Sequence, residues 1–151
     1  MVAHSYTHLL SHVIFSTKDR TPCIDADLKS HLHPYIGGIV RELSGGAICI
    51  NGPKDHVHLL IWLPGSLALA DAMRVVKTNS SRWVHETWAA RKGFAWQTGY
   101  AAFSVSRSNA DEVRRYIDAQ EEHHRKTTFE EELIAFPKRH GIEYDERYLW
   151  Q

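Results

Sequence analysis

The chain is poor in the features that mark membrane or secreted proteins. It has two cysteines in 151 residues, Cys23 and Cys49, with no paired spacing, so reduced thiols in a cytoplasmic protein are expected. No apolar run approaches the roughly 20 residues a membrane helix requires. The opening Met1-Val2-Ala3-His4-Ser5 lacks the basic-then-apolar signature of a signal peptide, and no membrane partner is expected. Charge of one sign is also lacking, because 18 Lys and Arg balance 18 Asp and Glu. Taken alone, that argues against a nucleic-acid partner. Internal repeats, low-complexity segments and a phosphate-cradling glycine-rich loop are all absent.

What is present is ordinary globular material, 43% hydrophobic and 24% charged, enough for a single domain over residues 1–151 with a real core. The charge is unevenly spread. Between Arg74 and Arg115, eight basic residues face Glu86, Asp111 and Glu112, an excess of five positive charges that the acidic stretch from Asp118 onward cancels. A locally basic surface is compatible with phosphate binding, and an ordinary mixed surface explains it equally well.

Hydrophobic spacing predicts the elements. Leu9 to Thr17 reads as a strand and Asp25 to Leu43 as a helix, with Pro34 a candidate kink and Ser44-Gly45-Gly46 its stop. Ala47 to Asn51 and His56 to Leu63 read as strands, the second apolar on both faces and therefore central. A long helix follows Pro64-Gly65-Ser66, with Ser66 as its N-cap and Gly93 as its end. Tyr100 to Val105 is a strand, and Ser108 with Asp111 looks like a capping box for a third helix at about 109–126. The order predicts an α+β fold, a ferredoxin-like βαββαβ sandwich over about residues 4–107 with helices on one face of an antiparallel sheet. The third helix is an addition to that core, and a tail covers 127–151.

Within this frame, His56-Val57-His58 stands out. Side chains on a strand alternate between faces, so both imidazoles point one way while Val57 enters the opposite layer. Two neutral nitrogen donors on rigid backbone suit a divalent metal. Further on, Tyr116 and Gln120 are four residues apart and share a helix face. Two imidazoles and an amide oxygen would make a neutral three-ligand site with open positions for a phosphate. Tyr116 would then be the nucleophile, although a phenol with its ordinary pKa of ~10 needs activation. Each part alone has a plainer reading: one His-x-His is a weak metal signal, a tyrosine at helical spacing more often packs, and His8 and His12 on the first strand can simply pack.

The joint pattern resembles the single-tyrosine HUH transposases of small bacterial insertion sequences, HUH meaning His-hydrophobic-His. The likeness runs through His12-Val13-Ile14-Phe15-Ser16-Thr17-Lys18-Asp19-Arg20, Asp55-His56-Val57-His58-Leu59-Leu60 and Lys77-Thr78-Asn79-Ser80-Ser81. It continues through Trp96-Gln97-Thr98-Gly99-Tyr100 and Tyr116-Ile117-Asp118-Ala119-Gln120 to the tail ending near Trp150, with Thr78 standing where a smaller residue is expected. The resemblance implies cleavage and rejoining of single-stranded DNA through a 5′-phosphotyrosine on Tyr116, with Mg²⁺ or Mn²⁺ held by His56, His58 and Gln120. It also implies recognition of DNA hairpins at element ends, and a homodimer in which active sites can be shared between subunits. Lys18, Arg20, Arg74, Lys77, Ser81 and Arg82 are candidate DNA contacts, the last four near one face of the second helix; a solvated face explains each equally well. His123 and His124 are candidates to orient a ligand or shuttle a proton, with a surface role the default. Two other readings compete. One is a related HUH nuclease, such as a replication initiator or relaxase, which the short chain disfavours. The other is a non-catalytic nucleic-acid-binding sandwich, which predicts exposed aromatics on the sheet.

Overall fold

The computed structural model describes residues 5–120 and Glu131. Its elements run β1 (Leu9–Ser16), α1 (Ala26–Glu42), β2 (Gly46–Asn51), β3 (His56–Leu63), α2 (Leu69–Thr87), β4 (Ala101–Val105) and α3 (Ala110–Asp118). The strands form one sheet in the order β2-β3-β1-β4, every neighbouring pair antiparallel. This is the α+β sandwich expected, with β3 and β1 central.

The faces of β3 are divided by parity. Val57, Leu59, Ile61 and Leu63 enter the main core with Val13 and Phe15 of β1, Leu28, Leu32, Ile36 and Val40 of α1, and Met73, Val76 and Val84 of α2. Spacing of three to four residues along each helix gives it one apolar stripe, and burying a Leu or Ile stabilises by about 1.5–3 kcal/mol. The other face carries Ile14 and Phe103, against which Tyr116 of α3 packs. Two helices therefore cover one face, and α3 lies on the face that carries the histidine pair.

Several local expectations are corrected. Helix α1 is continuous through Pro34; an exposed proline ring in a well-packed helix costs one hydrogen bond without breaking it. Its N-cap is Asp25, whose side chain accepts from the Leu28 amide at 2.9 Å. Helix α2 starts after Ala68, which makes no side-chain cap, and ends at Thr87. Ser66 therefore does not cap it, and a short 3-10 turn at Ala89–Arg91 intervenes before Gly93. The Ser108–Asp111 capping box does not form. A 3-10 turn over Arg107–Asn109 takes its place, and Asn109 precedes α3 without a side-chain cap. Helix α3 ends at Asp118, one turn residue before Gln120. The remainder of the expected catalytic helix, with His123, His124 and nearly all of the tail, lies outside the described residues. Among the described residues, no helix is long and apolar enough to cross a membrane.

His33 on α1 gives a pH prediction. It is 9% exposed, and among the described residues its Nε2 has no hydrogen-bond partner. Burial, reinforced by the charge of Lys29, lowers its pKa to about 4, against an ordinary value of about 6.5. As pH falls between those two values, the unfolded chain takes up a proton here that the folded chain refuses. Stability should therefore drop by a few kcal/mol from about pH 6.5 to about pH 4. His33→Leu should flatten this acid limb in chemical denaturation followed against pH; an unchanged limb would place the lost stability elsewhere.

Candidate active site

Both imidazoles of the pair are fully buried, with ring centroids 5.1 Å apart. The turn that feeds them is tight: a Cβ on Gly52 would collide with the backbone carbonyl of His56, so only glycine fits there. Each ring then uses Nδ1 for a neighbour. His56 Nδ1 donates to the Asp55 carboxylate at 2.7 Å, and His58 Nδ1 lies 2.9 Å from Nε2 of His12. With both Nδ1 atoms engaged, Nε2 is the nitrogen through which either ring would coordinate a metal.

Helix α3 brings the phenol. The Tyr116 ring meets His58 edge-on with centroids 5.9 Å apart, and His12 at 6.3 Å. Tyr116 is half-buried, while Ile117 and Gln120 are buried. Gln120 Nε2 donates to the Tyr116 carbonyl at 3.3 Å, which leaves Oε1 as the amide atom able to serve a cation. The helix is also held from β2: Asn51 Nδ2 donates to the carbonyls of Ile117 at 3.0 Å and Asp118 at 3.3 Å. Both carbonyls lie in the last residues of α3, where side-chain donors commonly serve backbone acceptors. Asn51→Ala should cost about 1–2 kcal/mol in chemical unfolding and loosen Tyr116; an unchanged midpoint would show that the clamp is idle.

The donor set fits a divalent ion. With both imidazoles neutral and one amide oxygen beside them, the expected set would leave open positions for anionic oxygens. Among the described residues, no group of three or more His, Cys, Asp and Glu side chains forms a metal cluster; the third donor expected from the sequence is the amide of Gln120.

The candidate DNA contacts are dispersed. Lys18 and Arg20 lie just beyond β1, whose last residue, Ser16, pairs with His56, so they stand at the histidine end of the sheet. In that turn Asp19 and Arg20 adopt φ of 56° and 53°, a conformation that non-glycine residues seldom take. Arg74, Lys77, Ser81 and Arg82 belong to α2, across the sheet from the imidazoles. Arg74 approaches Asp71 at 3.7 Å, and Arg82 donates to Asn79 at 3.2 Å. The Lys77 ammonium donates to the carbonyls of Gln97 and Gly99 above the Phe15 ring. Its burial lowers its pKa to about 8. Lys77 thus clips the 94–100 segment to α2.

Sequence reasoning missed His12, Asn51 and the part played by Asp55. Asp55 adjoins the pair and could have been suspected; His12 and Asn51 depend on strand register and helix docking.

A profile of the family described as Transposase IS200 like matches residues 5–120, which spans every element of the sheet together with Tyr116 and Gln120. The chain belongs to the IS200-like transposase family. Among curated proteins, it is 24% identical over 114 residues to the ISDra2 transposase TnpA of Deinococcus radiodurans, covering 72% of this chain and 81% of that one. A crystal structure of a protein described as a transposase from Deinococcus radiodurans R1 superposes with a TM-score of 0.66 at 21% identity, over 80% of this chain and 96% of the other. A REP-associated tyrosine transposase bound to a REP hairpin superposes with a TM-score of 0.54 at 15% identity, over 95% of this chain and 76% of that one. The two structural likenesses establish the transposase fold. The family places this chain among DNA transposases, and β3 and α3 are the elements that carry its candidate chemistry.

Proposed function

We propose that this transposase cleaves and rejoins single-stranded DNA through a covalent bond to Tyr116. The observation that carries the reading is the meeting, within one chain, of the Tyr116 ring with His58, one member of the buried histidine pair. The phenol oxygen attacks the scissile phosphorus, the bond to O3′ breaks, and the phenol's proton is lost as the departing O3′ gains one. The products are a 5′-phosphotyrosine and a free 3′-OH. Rejoining is the reverse attack by a 3′-OH, and the covalent bond conserves the energy of the broken phosphodiester. His56, His58 and Gln120 would hold Mg²⁺ or Mn²⁺, which when bound supplies Lewis-acid polarisation of the phosphate. Lys18 and Arg20, at the same end of the sheet, would guide the DNA backbone towards the site.

The substrate is a single-stranded DNA hairpin, a reading supported by the neighbour of the same fold that binds a REP hairpin. A homodimer, with the possibility of α3 completing a partner's histidine pair, belongs to the same reading. The test is incubation with hairpin DNA labelled on the 3′ side of the cut, with Mg²⁺ or Mn²⁺, followed by denaturing electrophoresis. Labelled DNA should migrate with the protein. Cleavage without a protein-linked product would sink the covalent mechanism.

A further inference from the structure

In the β1–β3 register, Ile14 faces His58 and His12 faces Leu60, which makes His12 and His58 diagonal neighbours on one face. Both are buried, their rings are stacked with centroids 5.1 Å apart, and His12 Nε2 lies 2.9 Å from His58 Nδ1. A hydrogen bond between two neutral imidazoles has a direction: one nitrogen carries the proton and the other accepts. Were His12 Nε2–H the donor, His58 would carry its proton on Nε2 and have no lone pair there for a cation. With His58 Nδ1–H as donor, its Nε2 becomes a coordinating nitrogen. The two states exclude each other. His56 has no such choice, because an ionised carboxylate such as that of Asp55 can only accept.

We infer that His12 is a positioning residue, which accepts the His58 Nδ1–H bond and thereby directs His58 Nε2 to the metal. The inference rests on the metal reading above. His12 is not itself a ligand through Nε2, since that atom is engaged with His58; its own proton then resides on Nδ1. Phe103 faces it across β4, and the Tyr116 ring stands edge-on to it. His12 thus links the orientation of the His58 ring to the packing that seats the nucleophile.

Gln at position 12 offers a carbonyl oxygen near the place of the imidazole Nε2, whereas Leu fills the space and accepts nothing. Mn²⁺ affinity measured by calorimetry on the metal-free protein should fall about 10–100-fold in His12→Leu and stay within about 3-fold of wild type in His12→Gln. Loss in His12→Leu with rescue by Gln supports the inference; equal affinity in His12→Leu overturns it. A measurement on the unaltered protein guards against a folding defect. With saturating Mg²⁺, nitrogen-15 spectra should show His58 protonated on Nδ1 and His12 unprotonated on Nε2, and a proton on His12 Nε2 would overturn the assignment. If wild-type protein binds no Mn²⁺, the metal reading falls and takes this inference with it. Binding by wild type with unaltered affinity in His12→Leu defeats the inference alone.

Discussion

Tyr116→Phe is expected to abolish the protein–DNA adduct while leaving the fold intact. The ring packs on Ile14 and Phe103, and phenylalanine keeps that packing, so thermal stability should change by less than about 1 kcal/mol. On the proposed mechanism the chemistry loses its nucleophile outright. Removal of a nucleophile typically lowers turnover on the order of 10⁴-fold or more, so single-turnover cleavage of the hairpin should fall to background. Hairpin affinity, measured by anisotropy, should be retained. Wild-type adduct yield from the variant would move the nucleophile to another residue.

The second large effect concerns the metal. Chelation, or His56→Ala, should slow strand cleavage by about 10³-fold, equivalent to about 4 kcal/mol of transition-state stabilisation. Hairpin binding should change only a few-fold, because a cation at this site would touch the scissile phosphate alone among many backbone contacts. Mg²⁺ or Mn²⁺ added back should restore the chelated enzyme and leave His56→Ala slow. The variant also leaves Asp55 without its 2.7 Å partner, at a cost of about 1–3 kcal/mol in stability, so rates must be compared below the melting range of both proteins. Cleavage at full rate in chelator would remove His56 and His58 from the reaction.

The elements of the site were readable wherever the physics is local. Alternation along a strand is a property of a few consecutive residues, so the shared face of His56 and His58 and the opposite course of Val57 could be read directly. Features that depend on distant pairing could not. His12 gains its partner only from the register that sets Ile14 against His58, and nothing near residue 12 encodes that register. The basic residues of α2 illustrate the same limit. Helical spacing groups Arg74, Lys77, Ser81 and Arg82, yet the side of the sheet that α2 covers is decided by the core around Met73 and Val76. Helix starts were misplaced where several polar residues competed, with Ser66 passed over for Ala68 and Ser108 absorbed into a 3-10 turn. The non-catalytic sandwich expected aromatics displayed on the sheet. Around the histidine pair that face is instead occupied by α3, and Trp62 is the exposed strand aromatic among the described residues.

The two-sided character of β3 has a consequence for a protein that cuts DNA. If β3 slipped by one residue against β1, Val57, Leu59 and Ile61 would be expelled from the core and the imidazoles driven into it. The same error that destroys stability would also dismantle the cutting centre. On the proposed mechanism a copy misassembled at β3 would be inactive as well as unstable, because the core packing and the candidate chemistry draw on the same eight residues of His56–Leu63.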